Sequence, residues 1–254
     1  MEAEPINPPT LKGQKEGKKT VNIRLRMKLL ALAWSVGLFG RLVIFALQAA
    51  GLVHVEGMRH LQELLSQDQG FLVMHRHPSM RETVIIPLLF FPSFLWNPWR
   101  APVVTPDERN YYKPWWCAPF RPAAIPVPRG SREGEIRALF RMRQALKEGR
   151  PLVLAPEGGR TFKGEVFKYL FPGGCTRVFS ALDGGVDLSL PVIRRFKGGV
   201  QILCNNGTPI LPVWVDSTRW RTRIVFGAPA VIPQGENTLE ALEDMLLRTA
   251  SRLH

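Results

Sequence analysis

Cysteine and acidic residues are both scarce in this chain of 254 residues, and each scarcity excludes something. Its three cysteines, Cys117, Cys175 and Cys204, stand far apart with no C-x-x-C pair. That excludes a disulfide framework and a thiolate metal site, and it fits a reducing, cytoplasm-facing environment. Acidic residues number 21 against 34 Lys and Arg, leaving a net charge of +13 at pH 7. Such a balance calls for a polyanionic neighbour: nucleic acid, an anionic membrane surface or phosphorylated substrates. No internal repeat is present, which excludes a solenoid. With 45% hydrophobic residues the chain can bury a core of its own, as one large domain or two small ones.

What is there begins with charge beside an apolar run. Residues 1–28 read as a disordered basic tail, rich in Pro, Gly, Lys and Glu with little to bury. Its cations Lys12, Lys15, Lys18, Lys19, Arg24, Arg26 and Lys28 lead straight into residues 29–52, a membrane-associated helical segment. A secretory signal is rejected because the run is too long and no small-residue cleavage site closes it. Arg41 sits near its middle and Gly37, Gly40 and Gly51 interrupt it. A central Arg costs about 2.5–3.5 kcal/mol on insertion scales, so the expectation is two shorter interfacial helices, 29–40 and 42–52, with Arg41 snorkelling. A true span and a buried helical hairpin are the alternatives. The upstream cations would hold either membrane form on an anionic leaflet.

From residue 53 to 254 short apolar runs alternate with helical periods, which predicts an α/β fold: a mixed, largely parallel sheet flanked by helices. Strands are expected near 53–56, 70–74, 102–105, 124–127, 151–155, 210–215 and 223–226. Ser131 caps a helix to about Lys147 with Ile136, Leu139, Phe140 and Leu146 on its inner face. Asn237 and Glu240 open a last helix that turns Leu239, Leu242, Met245, Leu246 and Leu253 inward.

Two polar segments follow predicted buried strands, the place where α/β folds put their sites. The first is His75-Arg76-His77-Pro78-Ser79-Met80-Arg81-Glu82. Ser79 and Glu82 have capping-box spacing, so a helix begins here with His77 just outside it and Glu82 in its first turn. A carboxylate so placed can hold one imidazole nitrogen while the other takes a proton from a hydroxyl. His75 lacks an acidic residue at that spacing, and Glu82 serving the cap alone is the competing reading. The second segment is Pro156-Glu157-Gly158-Gly159-Arg160-Thr161. Its glycines allow backbone amides to approach a phosphate while Arg160 pairs its oxygens; an ordinary strand-ending turn is the alternative.

Together these segments resemble the glycerolipid acyltransferase family, which includes the 1-acylglycerol-3-phosphate O-acyltransferases. Arg76-His77-Pro78-Ser79-Met80-Arg81-Glu82 is similar to its Asn-His-x-Ser-x-x-Asp motif, and residues 156–161 to its Pro-Glu-Gly-Thr-Arg-Ser motif. Residues 124–129, ending in Arg129, and Pro209-Ile210-Leu211-Pro212-Val213, preceded by Phe196-Lys197-Gly198-Gly199, resemble the remaining two. The resemblance implies an acyltransferase domain over 53–254 in which His77 is the general base and Glu82 orients it. It implies an acceptor-phosphate site at Arg129, Glu157, Gly158, Gly159, Arg160 and Thr161. It also implies acyl-CoA or acyl carrier protein as donor, a lysophospholipid acceptor, a role in phospholipid biosynthesis, and no metal or bound cofactor.

Three departures carry expectations of their own. Glu82 stands where the family has Asp, so its contact to His77 must be re-aimed, and the expectation is impaired or altered activity. Arg76 stands where the family has Asn and is a further candidate for binding substrate phosphate. An insertion over about 163–194 separates the third motif from Phe196; it either reshapes the site or elaborates the surface.

Residues 84–99, with Phe90, Phe91, Phe94, Trp96 and Trp99, would line an acyl groove or dip into the leaflet. Tyr111, Tyr112, Trp115 and Trp116 form a second interfacial candidate. The functional expectation is a membrane-associated O-acyltransferase at the cytoplasmic face of an anionic membrane, acting on a lysophosphatidate-like acceptor. Another hydroxyl acceptor (a different lysophospholipid, a long-chain alcohol or a glycolipid) is the nearest alternative. A noncatalytic membrane-binding relative stands next, and a nucleic-acid binder rests on charge alone.

Overall fold

The computed structural model describes residues 23–180, 190–204, 207–232 and 237–250. Lys12, Lys15, Lys18 and Lys19, with most of the expected basic tail, lie outside the described residues, as does Leu253. The main sheet joins β1 (Val53–Glu56), β2 (Leu72–His75), β3 (Val103–Val104), β4 (Leu152–Leu154), β8 (Ile210–Ser217) and β9 (Thr222–Phe226) in the order β1-β9-β8-β2-β4-β3. Strands β8, β2, β4 and β3 are parallel, β9 is antiparallel to β8, and β1 is parallel to β9. The carboxyl ends of β8, β2, β4 and β3 therefore open on one edge, where β1 and β9 begin.

The central strand β2 is buried along its whole length, which explains a continuous apolar run in place of alternation. Successive side chains face opposite layers. Leu72 and Met74 pack with Met142 of α7 (Arg132–Lys147), Leu203 of α8 (Val200–Cys204) and Leu246 of α9 (Thr238–Ala250). Val73 packs on the other face with Leu61 of α3 (Met58–Ser66) and with Ile86 and Leu89 of α4 (Glu82–Leu89). Two short helices, α5 (Ser93–Trp96) and α6 (Glu108–Tyr111), lie in the connections that follow.

The apolar segment is not two helices parted at Arg41. Helix α1 (Ile23–Leu32) passes through one π-turn, Ala33–Gly37, into α2 (Leu38–Ala49) as a single run. Leu29, Ala33, Gly37, Gly40 and Ile44 form its buried stripe. The glycines permit contact where breaks were expected: a Cβ at Gly40 would lie 2.5 Å from Leu88, and one at Gly37 2.9 Å from Phe94. The other flank carries exposed Ile23, Met27, Trp34, Leu38, Phe39, Leu42 and Phe45.

Residues 124–127 form no strand. They touch the sheet edge only through isolated bridges, Val104 to Ala124 and Asp107 to Val127. Pro122, Pro126 and Pro128 remove the N–H donors a ladder needs. Helix α7 starts as expected, with the Ser131 Oγ accepting the Gly134 N–H. Its buried face, however, runs through Ala138, Met142, Ala145 and Leu146, and leaves Ile136 and Phe140 exposed.

A second sheet was not legible. Strands β5 (Val166–Leu170), β6 (Thr176–Ser180) and β7 (Val192–Arg194) pair antiparallel in the order β6-β5-β7, within the expected insertion. Lys168 interrupts the apolar pattern of β5 yet is 2% exposed. The carboxylate of Asp244 on α9 takes its ammonium at 2.6 Å, so a charge sits where periodicity expects an apolar residue.

Candidate active site

At the carboxyl end of β2 the chain turns through residues 76–81 into α4. His77 Nδ1 lies 2.6 Å from Glu82 Oε1. Glu82 is fully buried at the start of α4, and its other oxygen accepts the Ser79 hydroxyl at 2.5 Å. Burial opposes ionisation of this carboxyl, but the bonds from His77 and Ser79 outweigh it and hold it below its usual range. An ionised carboxylate only accepts, so the proton of this bond sits on Nδ1. Glu82 also accepts the Ser79 N–H at 3.2 Å, so cap and imidazole share one carboxylate. The extra methylene relative to Asp is accommodated, and the re-aimed contact is made.

His75 stands apart. Its Nδ1 bonds the Arg76 carbonyl oxygen at 2.9 Å, and burial lowers its pKa to about 4. It is a neutral neighbour of His77, with the two rings edge to face at 6.1 Å.

The turn after β4 clasps the turn after β2. Glu157, fully buried, accepts the backbone N–H of His77 at 2.9 Å and the Thr161 hydroxyl at 3.0 Å through Oε1. Its Oε2 accepts the Arg194 N–H at 3.1 Å. Burial pushes this carboxyl up, against the donors from His77, Thr161 and Arg194 and the charge of Arg76. The Thr161 N–H in turn donates to the His77 carbonyl at 2.9 Å. Glu157 and Thr161 were expected to touch substrate; both are buried behind the site, where they tie its two turns together. Gly158 has φ +65, and a Cβ there would meet the Lys197 stem at 2.5 Å.

Arg76 also departs from expectation. Its guanidinium is buried, pairs with Asp216 at 2.7 Å, donates to the Val215 carbonyl at 3.0 Å and stacks over Trp214 at 4.6 Å. It is not among the residues that line the large cavity at the strand ends.

A cavity of about 1550 Å³ runs along the strand-end edge. His77, Gly158, Gly159, Arg160 and Arg129 line it, so these expected residues are brought together. Arg129 is held at 2.8 Å by Asp107. Apolar wall comes from Gly40, Val43, Ile44, Leu47, Leu88 and Phe94. Sequence reasoning missed Arg194, and took Lys197 only as part of a motif; both line the same cavity beside the glycine turn. The one available signal was the basic run Arg194-Arg195 directly ahead of Phe196-Lys197-Gly198-Gly199. Of the interfacial candidates, Trp96 is 78% exposed and Trp115 85%, whereas Phe90 and Phe94 are core.

A family model described as Acyltransferase matches residues 53–216. Among solved structures, the 1-acyl-sn-glycerophosphate (LPA) acyltransferase of Thermotoga maritima is similar at 18% identity. It covers 91% of this chain and 94% of its own, with a TM-score of 0.49. No curated protein matches.

Proposed function

Because this chain belongs to the acyltransferase family, we propose that it transfers a fatty acyl group from acyl-CoA or acyl carrier protein to the hydroxyl of a lysophosphatidate-like acceptor, as a step in phospholipid biosynthesis. The observation that carries this reading is the 2.6 Å contact between His77 and Glu82 in the wall of the large cavity. Nε2 of His77 takes the proton of the acceptor hydroxyl while its oxygen attacks the thioester carbonyl. The resulting imidazolium is stabilised by Glu82, whose carboxylate Ser79 holds in place. The tetrahedral adduct collapses with cleavage of the C–S bond, and the thiolate takes the proton back from Nε2. No covalent acyl-enzyme forms, and no metal or bound cofactor is required.

Arg129 and Arg160 beside the glycine turn suit an acceptor phosphate, since a guanidinium pairs phosphate oxygens in a fork. The apolar wall from α2 and α4 suits an acyl chain. Membrane association at the cytoplasmic face is supported by the exposed apolar flank of the first helix and by exposed Trp96 and Trp115. The helix is packed along one stripe, which favours lying in the interface over crossing alone.

The test is thiol release from palmitoyl-CoA in detergent micelles, with and without lysophosphatidate, for the wild type and His77→Ala. Acceptor-dependent release that disappears in the variant is expected. Release in neither protein with any donor or acceptor, while both bind anionic vesicles, would leave the noncatalytic membrane-binding reading in its place.

A further inference from the structure

We propose that Arg194, brought to the site by the inserted sheet, is a specificity-determining residue that grips a substrate phosphate. This rests on the acyl-transfer reading above for its substrates, but not for its geometry.

The side chain of Arg194 is threaded through space that two glycines leave open. A Cβ on Gly159 would lie 3.0 Å from its Nη1, and a Cβ on Gly164 would lie 2.8 Å from both Cγ and Cδ. Gly159 stands where the family's third motif carries Thr, so the departure in the motif and the guanidinium in the cavity wall are one feature. The backbone of Arg194 is pinned by Glu157 Oε2 at 3.1 Å, and the same carboxylate pins the His77 N–H at 2.9 Å. The Arg194 backbone is thereby held at a set offset from the base, and Gly159 and Gly164 leave its side chain room to reach the cavity. Lys197 lies over Gly158 on the other side of the turn, with its N–H on the Pro156 carbonyl at 3.0 Å.

Arg194, Lys197, Arg160 and Lys163 all line the cavity, and among the described residues none of their side chains pairs with a carboxylate. Cations that converge on one turn without a carboxylate partner among the described residues fit a dianionic phosphate monoester, and Arg194 is the half-buried member with a fixed backbone. The phosphate can belong to the acceptor headgroup or to the phosphorylated end of the donor. The chemistry is the same, and the kinetics separate them.

The experiment compares wild type, Arg194→Met, Arg194→Lys and Gly159→Thr. Steady-state kinetics are taken with palmitoyl-CoA and either lysophosphatidate or a phosphate-free monoacylglycerol. Arg194→Met is expected to raise KM for lysophosphatidate about 10- to 100-fold, the loss of one charge-assisted fork, with kcat little changed. KM for the phosphate-free acceptor should stay as in wild type. Gly159→Thr should crowd the guanidinium and produce the same KM rise, and Arg194→Lys should recover part of the loss. A rise confined to the donor KM would also support the gripping role and assign the phosphate to the donor. Unchanged KM for both substrates in a variant with wild-type thermal stability overturns the proposal. A second readout does not need turnover: thermal stabilisation of the wild type by inorganic phosphate, weakened in Arg194→Met. If His77→Ala left acyl transfer intact, this shift would still stand or fall by itself.

Discussion

The buried carboxylate of Glu157 accepts the backbone N–H of His77 at 2.9 Å, so the proposed base is located by a residue 80 positions away. The carboxylate lies in a motif whose acid would repel the phosphate it was expected to bind. Its work is positional: it joins the ends of β2, β4 and β7 through His77, Thr161 and Arg194.

Glu157→Gln tests that role. An amide offers one acceptor oxygen and one donor, and every group facing Glu157 in these bonds is a donor. At least one buried N–H is left unpaired, at about 1–3 kcal/mol. A lower unfolding midpoint is expected, with a kcat/KM loss on the order of 10²-fold as His77 shifts by about 1 Å. Wild-type kinetics in a destabilised Glu157→Gln protein would reduce the carboxylate to a folding role.

Restoring the family's residue at position 82 is expected to harm this enzyme. The 2.6 Å contact to His77 and the bond from Ser79 are both built on the longer side chain. Glu82→Asp withdraws the carboxylate by about 1.5 Å, and kcat should fall about 10- to 100-fold with the donor KM little changed. Glu82→Gln keeps the length but removes the charge that stabilises the imidazolium, and a loss of about 10²- to 10⁴-fold is expected. Equal or better turnover by Glu82→Asp would show that the acid need not touch the imidazole as seen here.

How far the sequence reveals this molecule depends on how local each signal is. Strand β1, the central strands and the start of α7 follow from short apolar runs and a capping serine, all local features. The pairing of His77 with Glu82 is equally local, within one turn and one helix start. The inserted sheet was hidden because Lys168, a core position of β5, has its ion-pair partners among the described residues on α9, more than 70 positions on. The site role of Arg194 was hidden for a similar reason: nothing near it in sequence says that Gly159 and Gly164 leave it room. Arg76 misled because its partner Asp216 comes from β8, across the sheet.

His75 makes a prediction about pH. Burial lowers its pKa to about 4 in the folded protein, against the ordinary 6.5 of a histidine; the bond to the Arg76 carbonyl and the charge of Glu82 only partly offset that. The unfolded chain therefore binds a proton that the folded one refuses between pH 6.5 and about 4. Stability is fully present above pH 6.5 and falls through that window, by about 3 kcal/mol in all. Glu82, depressed in the folded state, adds a further loss below the ordinary carboxyl value of 4.5, whereas Glu157, pushed up by burial, acts in the opposite sense. Urea midpoints taken across this range should fall for the wild type and decline less in His75→Gln. Parallel slopes in the two proteins would assign the acid sensitivity to other groups.

The close seat of the first helix on α4 predicts a change in donor preference. Gly40 lines the cavity, and a Cβ there would already approach Leu88 Cδ2 at 2.5 Å. Leu88 is itself in the wall, so a larger side chain at position 40 must push into the cavity or lift the helix. Overpacking of that kind costs about 1–3 kcal/mol. If this wall holds the acyl chain, Gly40→Leu displaces a few methylenes, each worth about 0.8 kcal/mol when buried. The kcat/KM for a sixteen- or eighteen-carbon donor should then drop about 10-fold or more while an eight-carbon donor is little affected. A uniform loss across chain lengths would mean that the helix had lifted, and vesicle binding by the same variant would show whether its exposed flank still engages lipid. An unaltered chain-length profile in a stably folded Gly40→Leu protein would place the acyl chain elsewhere along the strand-end edge.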